Sequence, residues 1–79
     1  MKIRKIISSG KERKIFIHEN KKEEMILVAI PSLHWSIEFS YDELGEKMVQ
    51  TITSSLSGQT DSSTAAELAN RISQWTREM

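Results

Sequence analysis

The spacing of the apolar residues changes halfway along this chain, and that change restricts the fold more than any other feature. Leu33, Trp35, Ile37 and Phe39 alternate with polar residues, which is the period of a strand with one buried face. From Tyr41 onward, apolar residues recur at intervals of three and four, which is typical of amphipathic helices. The sequence therefore predicts a β half followed by a helical half.

The β half, residues 1–40, is expected to contain four strands. Gly10 suits a tight turn after the first strand, and Pro31 ends the third. Short connections between consecutive strands predict antiparallel hairpins and therefore a meander. The predicted strands are Ile3–Ile7, Arg13–His18, Met25–Ile30 and residues 33–40.

Two helices are expected in the second half, residues 41–79. Ser40 with Glu43, and Thr64 with Glu67, have the spacing of capping boxes, which predicts helix starts at both places. The predicted fold is α+β in the order ββββαα, with both helices packed on one sheet face. We expect a single domain over residues 1–79.

Composition narrows the class of protein. The 79 residues include no cysteine, so neither a disulfide framework nor a thiolate site is available, and a cytoplasmic location is expected. The first residues lack the apolar run of a signal peptide. The longest apolar run, Met25–Ile30, is far too short to cross a bilayer, so no membrane association is expected.

The sheet has more apolar residues than one buried face needs. Phe16 points away from Ile15 and Ile17, and the third strand is apolar on both faces. A face left exposed beside Phe16 predicts a binding surface for a protein partner, of which a second copy of this chain is the simplest. The interface candidates are Phe16, Ile26, Val28 and Ile30, although the pattern leaves open whether these residues of the third strand or Met25, Leu27 and Ala29 are the exposed set.

The first hairpin is strongly basic although the net charge of the chain is zero. Residues 1–14 carry six Lys or Arg and one Glu, so the remaining residues carry a net charge of −5. Such a ribbon could contact phosphates, whereas charged edge strands commonly serve only to prevent aggregation. Nucleic acid is thus an alternative partner, not the favoured one. The candidates are Lys2, Arg4, Lys5, Lys11, Arg13 and Lys14.

No spacing in the chain specifies a reaction. His18, His34 and Glu38 are metal-ligand types, but no H-x-x-x-H or H-E-x-x-H pattern positions them. Acidic residues 42, 43 and 46 suit the first turn of a helix better than acid–base catalysis. We therefore predict no catalytic residues, no metal site and no cofactor; an enzyme using the histidines is the weakest alternative.

Several segments resemble the YueH-like family of small proteins from Bacillus-type bacteria. They are Met1–Lys5, Ile17–Glu24 and Ala29–Ser36. The resemblance covers essentially the whole chain and implies a bacterial cytosolic protein, with no activity or catalytic residues to carry over. The sequence as a whole predicts a small non-enzymatic interaction or accessory protein that self-associates.

Overall fold

The computed structural model describes residues 2–8 and 10–78, and for Ser8 the backbone alone. Four strands come first and two helices follow, which confirms the predicted α+β order. Short 3-10 turns lie at Pro31–Leu33 and Tyr41–Glu43. The strands are β1 (Lys2–Ser8), β2 (Lys11–Asn20), β3 (Met25–Ile30) and β4 (Trp35–Ser40), and the helices are α1 (Glu46–Leu56) and α2 (Ser62–Arg77).

The strands form one antiparallel sheet in the order β1-β2-β3-β4, which confirms the meander. One row of cross-strand partners runs through the middle of the sheet, from Ile3 to Phe16, then to Ala29 and Ser36. Because side chains alternate along a strand, this row and its second neighbours share one face. The register therefore assigns every strand residue to one of two faces.

The turn between β2 and β3 fixes part of that register. The Asn20 side chain accepts a hydrogen bond from the Glu23 backbone N–H at 3.2 Å, and its amide donates to the Glu23 carboxylate at 2.9 Å. Glu24 closes the turn with φ of 55°, and Asn20 then pairs with Met25. With four residues in this connection, even-numbered residues of β2 share a face with odd-numbered residues of β3.

One face of the sheet is buried. Ile15, Ile17, Val28 and Ile30 have no exposed side-chain surface, and Phe39 retains 2%. β-branched residues suit this position because their stiff side chains pack well on a pleated surface. The buried apolar residues of the sheet are Ile6, Ile15, Ile17, Ile26, Val28, Ile30, Trp35 and Phe39.

Each helix buries a stripe of apolar residues, as expected of an amphipathic helix. Met48, Ile52 and Leu56 of α1 recur at intervals of four and are fully buried. On α2 the buried apolar residues are Ala65, Leu68, Ala69 and Ile72. The helices contact each other, and the Thr76 hydroxyl lies 3.9 Å from the Met48 sulfur.

Both predicted helix starts were wrong. Ser40 ends β4, and α1 begins only at Glu46, after Gly45, whose φ of 91° and ψ of −139° are accessible to few other residues. α2 begins at Ser62, and its cap is Asp61 rather than Thr64. The contacts divide the chain into two compact units, residues 1–42 and 43–79; a single domain over the whole chain stays a prediction.

Candidate functional site

The other face of the sheet exposes large apolar side chains. Ile7 is 74% exposed, Ile3 52% and Leu27 40%. Phe16 lies on the same face and is half-buried, as are Met25 and Ala29. We call this surface the Phe16 face; its residues are Ile3, Lys5, Ile7, Glu12, Lys14, Phe16, His18, Asn20, Met25, Leu27, Ala29, Ser36, Glu38 and Ser40.

An apolar band crosses the Phe16 face. Ile3, Phe16 and Ala29 are successive cross-strand partners, so their side chains stand side by side. Leu27 lies two residues from Ala29 on β3, and Met25 lies two residues further along. Contiguous exposed apolar surface on a small protein commonly marks a binding site.

Charges of opposite sign flank the apolar band. Lys5 and Lys14 are cross-strand partners on one side of it. Glu38 lies on the other side, as the partner of Leu27. Glu12 partly neutralises the basic side, because its carboxylate lies 3.7 Å from the Lys5 ammonium. Both side chains of that pair are more than half exposed, so the pair itself adds little stability.

A groove opens at the end of the Phe16 face where Lys14 lies. Its volume is about 370 Å³, and it runs between β2 and the turn after β3. The lining residues are Glu12, Lys14, Phe16, Pro31 and Ser32. Phe16 and Pro31 give it apolar walls, while Glu12 and Lys14 place one charge of each sign at its rim. The groove thus extends the same surface and does not form a separate enclosed site.

Three of the four predicted interface residues lie on the buried face of the sheet and not beside Phe16. Ile26 is 2% exposed, and Val28 and Ile30 are fully buried. The register pairs Phe16 with Ala29, so the residues of β3 beside Phe16 are Met25, Leu27 and Ala29. Strand three is apolar on both faces, and its composition therefore gave no indication of the exposed one. The length of the preceding turn was the available signal.

The six predicted nucleic-acid contacts divide between the two faces. Lys5 and Lys14 are on the Phe16 face. The other four alternate with them and share the face of Ile6 and Ile15; they are Lys2, Arg4, Lys11 and Arg13. Arg13 is half-buried, and its Nη1 has no hydrogen-bond partner among residues 2–8 and 10–78. The basic residues near Phe16 are thus a pair, and the described residues of this face form no continuous basic stripe.

The two histidines lie on separate elements. His18 is exposed on β2, whereas His34 follows the Pro31–Leu33 turn in a left-handed conformation with φ of 50°. Across the described part of the chain, no three side chains of His, Asp or Glu are grouped to hold a metal ion. His18, His34 and Glu38, which the sequence offered as metal-ligand types, therefore do not form a metal centre in the described part of the chain.

Sequence reasoning also missed a polar contact between the β2–β3 turn and the segment that follows β4. The Tyr41 hydroxyl donates a hydrogen bond to Glu19 near the end of β2, and the Tyr41 backbone N–H donates to the Glu24 carbonyl at 3.0 Å. The hydrogen bond to the Glu19 carboxylate, with smaller effects of burial and nearby negative charge, raises the pKa of Tyr41 to about 12. Tyr41 thus holds the β2–β3 turn against the segment that follows β4.

The fold and this surface define a small α+β protein with an antiparallel meander, two helices and an exposed apolar sheet face. The sequence profile of the YueH-like protein family matches residues 2–78. The chain belongs to the YueH-like family, as its segments suggested. It is 39% identical to the Bacillus subtilis (strain 168) protein named "Uncharacterized protein YueH", over 82 aligned positions that cover 100% of both chains.

No solved structure matches the chain significantly. Within residues 2–8 and 10–78, no helix is long and apolar enough to cross a membrane.

Proposed function

We propose that this protein is a small non-enzymatic interaction protein that self-associates through the Phe16 face. One observation carries the proposal: Ile3, Ile7 and Leu27 are exposed on the same face, around a half-buried phenylalanine. Burial of apolar surface is the main favourable term in most protein association. An accessory role in the bacterial cytoplasm fits the cysteine-free composition.

Nucleic-acid binding has less support. A protein surface that stacks bases on an aromatic ring also needs basic side chains along the nucleic-acid backbone. Beside Phe16 the face offers Lys5 and Lys14, and Glu12 lies 3.7 Å from the first of them. The alternative therefore keeps only two of its six predicted contacts next to the aromatic ring.

The oligomeric state in solution tests the proposal. Sedimentation velocity from micromolar to millimolar concentration should show a dimer that dissociates on dilution. Phe16→Glu should keep the protein monomeric, because a carboxylate cannot be desolvated in an apolar interface without a partner. Ile3→Glu should act in the same way, and its position is 52% exposed, so the fold should tolerate the change.

Gln50→Glu provides the control, because it adds the same charge at an exposed position of α1. This variant should dimerise like the wild type, and far-UV circular dichroism should show all variants folded. A wild type that stays monomeric at millimolar concentration would refute self-association. Dimerisation of both folded face variants would show that the contact lies elsewhere.

A further inference from the structure

We propose that the second copy packs on the Phe16 face about a two-fold axis over Ala29, so that Lys14 of each subunit meets Glu38 of the other. The inference rests on the self-association proposed above and specifies its geometry. It follows from the positions of the two charges on the sheet, from the small residue midway between them and from the apolar neighbours of that residue.

Lys14 and Glu38 lie diagonally across the Phe16 face. Lys14 is on β2, two residues before Phe16, which pairs with Ala29. Glu38 is on β4, two residues after Ser36, which also pairs with Ala29. From ordinary strand rise and spacing, the two positions are about 13 Å apart along the strands and about 10 Å apart across them.

Ala29 is therefore the midpoint between the two charges, both along and across the strands. A two-fold axis that passes over Ala29, parallel to the sheet and perpendicular to the diagonal, exchanges the Lys14 and Glu38 positions. Each lysine then lies opposite a glutamate, and symmetry makes both contacts identical. Alanine has the smallest side chain among the residues of the Phe16 face, which lets the two sheets approach most closely at the axis.

The same operation places apolar groups together. Phe16 of one subunit comes to lie over the hollow between Ala29 and Leu27 of the partner subunit. Ile3 falls further along β3, near the gap beside Met25. The strands of the two sheets cross at about 70°, which is nearer to the orthogonal than to the aligned arrangement in which sheets pack face to face. Charge pairing and apolar packing thus favour a single orientation.

The charge distribution favours a second copy over an unrelated partner. Lys14 and Glu38 are exposed, and within the described residues neither forms an ion pair. The other lysine of the Phe16 face, Lys5, already lies 3.7 Å from the Glu12 carboxylate. A face that leaves one free charge of each sign is complementary to itself, whereas an acidic or a basic partner would meet repulsion at one of the two positions.

Charge reversal tests the geometry. Lys14→Glu gives a face with negative charge at both positions, and Glu38→Lys gives one with positive charge at both. In the proposed dimer, each variant repels its own copy at two symmetric contacts, so each homodimer should weaken by about tenfold or more at low salt. Mixing the two variants restores attraction at both contacts, so the mixture should form a heterodimer close to wild-type affinity.

Lys11→Glu is the matched control, since it makes the same charge change on β2 but on the opposite face. This variant should dimerise normally, and it should not rescue Glu38→Lys. Added salt should reduce the difference between the mixed and unmixed variants, because exposed charge pairs are screened.

The possible results separate this inference from the proposed function. A wild-type dimer with no rescue on mixing overturns the two-fold arrangement but leaves self-association standing. A monomeric wild type overturns both. Capture of an acidic protein that is lost in Lys14→Glu and unaffected in Glu38→Lys would assign the face to a different partner.

Discussion

Tyr41 is the only tyrosine in the chain, so its environment can be measured without interference. Its hydroxyl donates to the Glu19 carboxylate, and the neutral phenol is the form that can do so. The folded protein thus holds the phenolic proton more tightly than the unfolded chain. The stabilisation is fully present below the unfolded pKa of about 10 and is lost as the pH rises through the folded value.

We expect Tyr41 to titrate with a pKa of about 12 in the folded protein. The absorbance of the tyrosinate measures this titration. Glu19→Gln removes the carboxylate charge and should return the midpoint toward about 10. Tyr41→Phe should remove the transition and so identify it. A wild-type midpoint near that of free tyrosine would show that the contact with Glu19 does not persist in solution.

Gly45 shows how one residue restricts the path of the chain. Its φ of 91° with ψ of −139° precedes the first residue of α1, and side chains other than hydrogen are strained there. Gly58, after the same helix, has no positive φ, and a Cβ added to it would lie 3.9 Å from the Ser55 carbonyl oxygen, an ordinary contact. The two glycines should therefore respond oppositely to alanine.

Gly45→Ala should lower the free energy of unfolding by about 1–3 kcal/mol. Gly58→Ala should raise it by about 0.4–1 kcal/mol, because alanine reduces the freedom of the unfolded chain. Urea unfolding of both variants measures the difference. Equal effects of the two substitutions would contradict the conformation of Gly45.

At the scale of the element, the start of α2 depends on Asp61. Its carboxylate accepts hydrogen bonds from the Thr64 backbone N–H at 3.0 Å and from the Thr64 hydroxyl at 2.8 Å. These bonds, the hydroxyl first, lower the pKa of Asp61. The carboxylate also lies at the positive end of the helix dipole.

Asp61→Ala should lower the melting temperature by about 4–8 °C at neutral pH, the usual consequence of losing a helix cap in a domain of this size. Asp61→Asn keeps a side-chain oxygen that can accept the Thr64 hydrogen bond, so its melting temperature should fall by less. Because the pKa of Asp61 is depressed on folding, the stabilisation is present above its unfolded pKa and is lost as the pH falls through the folded one. A difference between wild type and Asp61→Ala that persisted in strong acid would contradict this cap.

At the scale of the whole molecule, the positive charge concentrated at the start of the sequence is divided between the two faces of the sheet. Residues 1–14 carry a net charge of +5, but β1 and β2 present their cations alternately to two faces. A phosphate backbone lying on one face meets only part of that charge.

We therefore expect at most weak binding of single-stranded RNA, detectable by fluorescence anisotropy only at low salt. Replacing Lys11, Arg13 and Lys14 with Gln should weaken that binding and flatten its salt dependence. Replacing Lys21 and Lys22 with Gln, in the turn after β2, serves as the control outside the basic hairpin. Binding that survives physiological salt would restore the nucleic-acid alternative.

Much of the architecture followed from local patterns. Alternation over residues 33–39 and short connections predicted the strands and their meander order, because side-chain direction along a strand depends only on position. Leu33 lies in the turn before β4, so that strand begins two residues later than the alternation. The opposite directions of Phe16 and Ile17 followed in the same way. Helical spacing predicted the buried stripe Met48, Ile52 and Leu56, although the starts of both helices were misplaced. A capping box is only four residues long, and its residue types also occur where no α-helix begins, as at Ser40, which ends β4.

The face of β3 was decided only by the tertiary structure. Met25, Leu27 and Ala29 are as apolar as the three residues between them, so composition cannot say which set is buried. Turn geometry decides it, since one residue more or fewer between Asn20 and Met25 would exchange the two sets. The sequence by itself determined that the sheet has an apolar surplus. The register of the folded sheet determined where that surplus is exposed and which charges lie beside it.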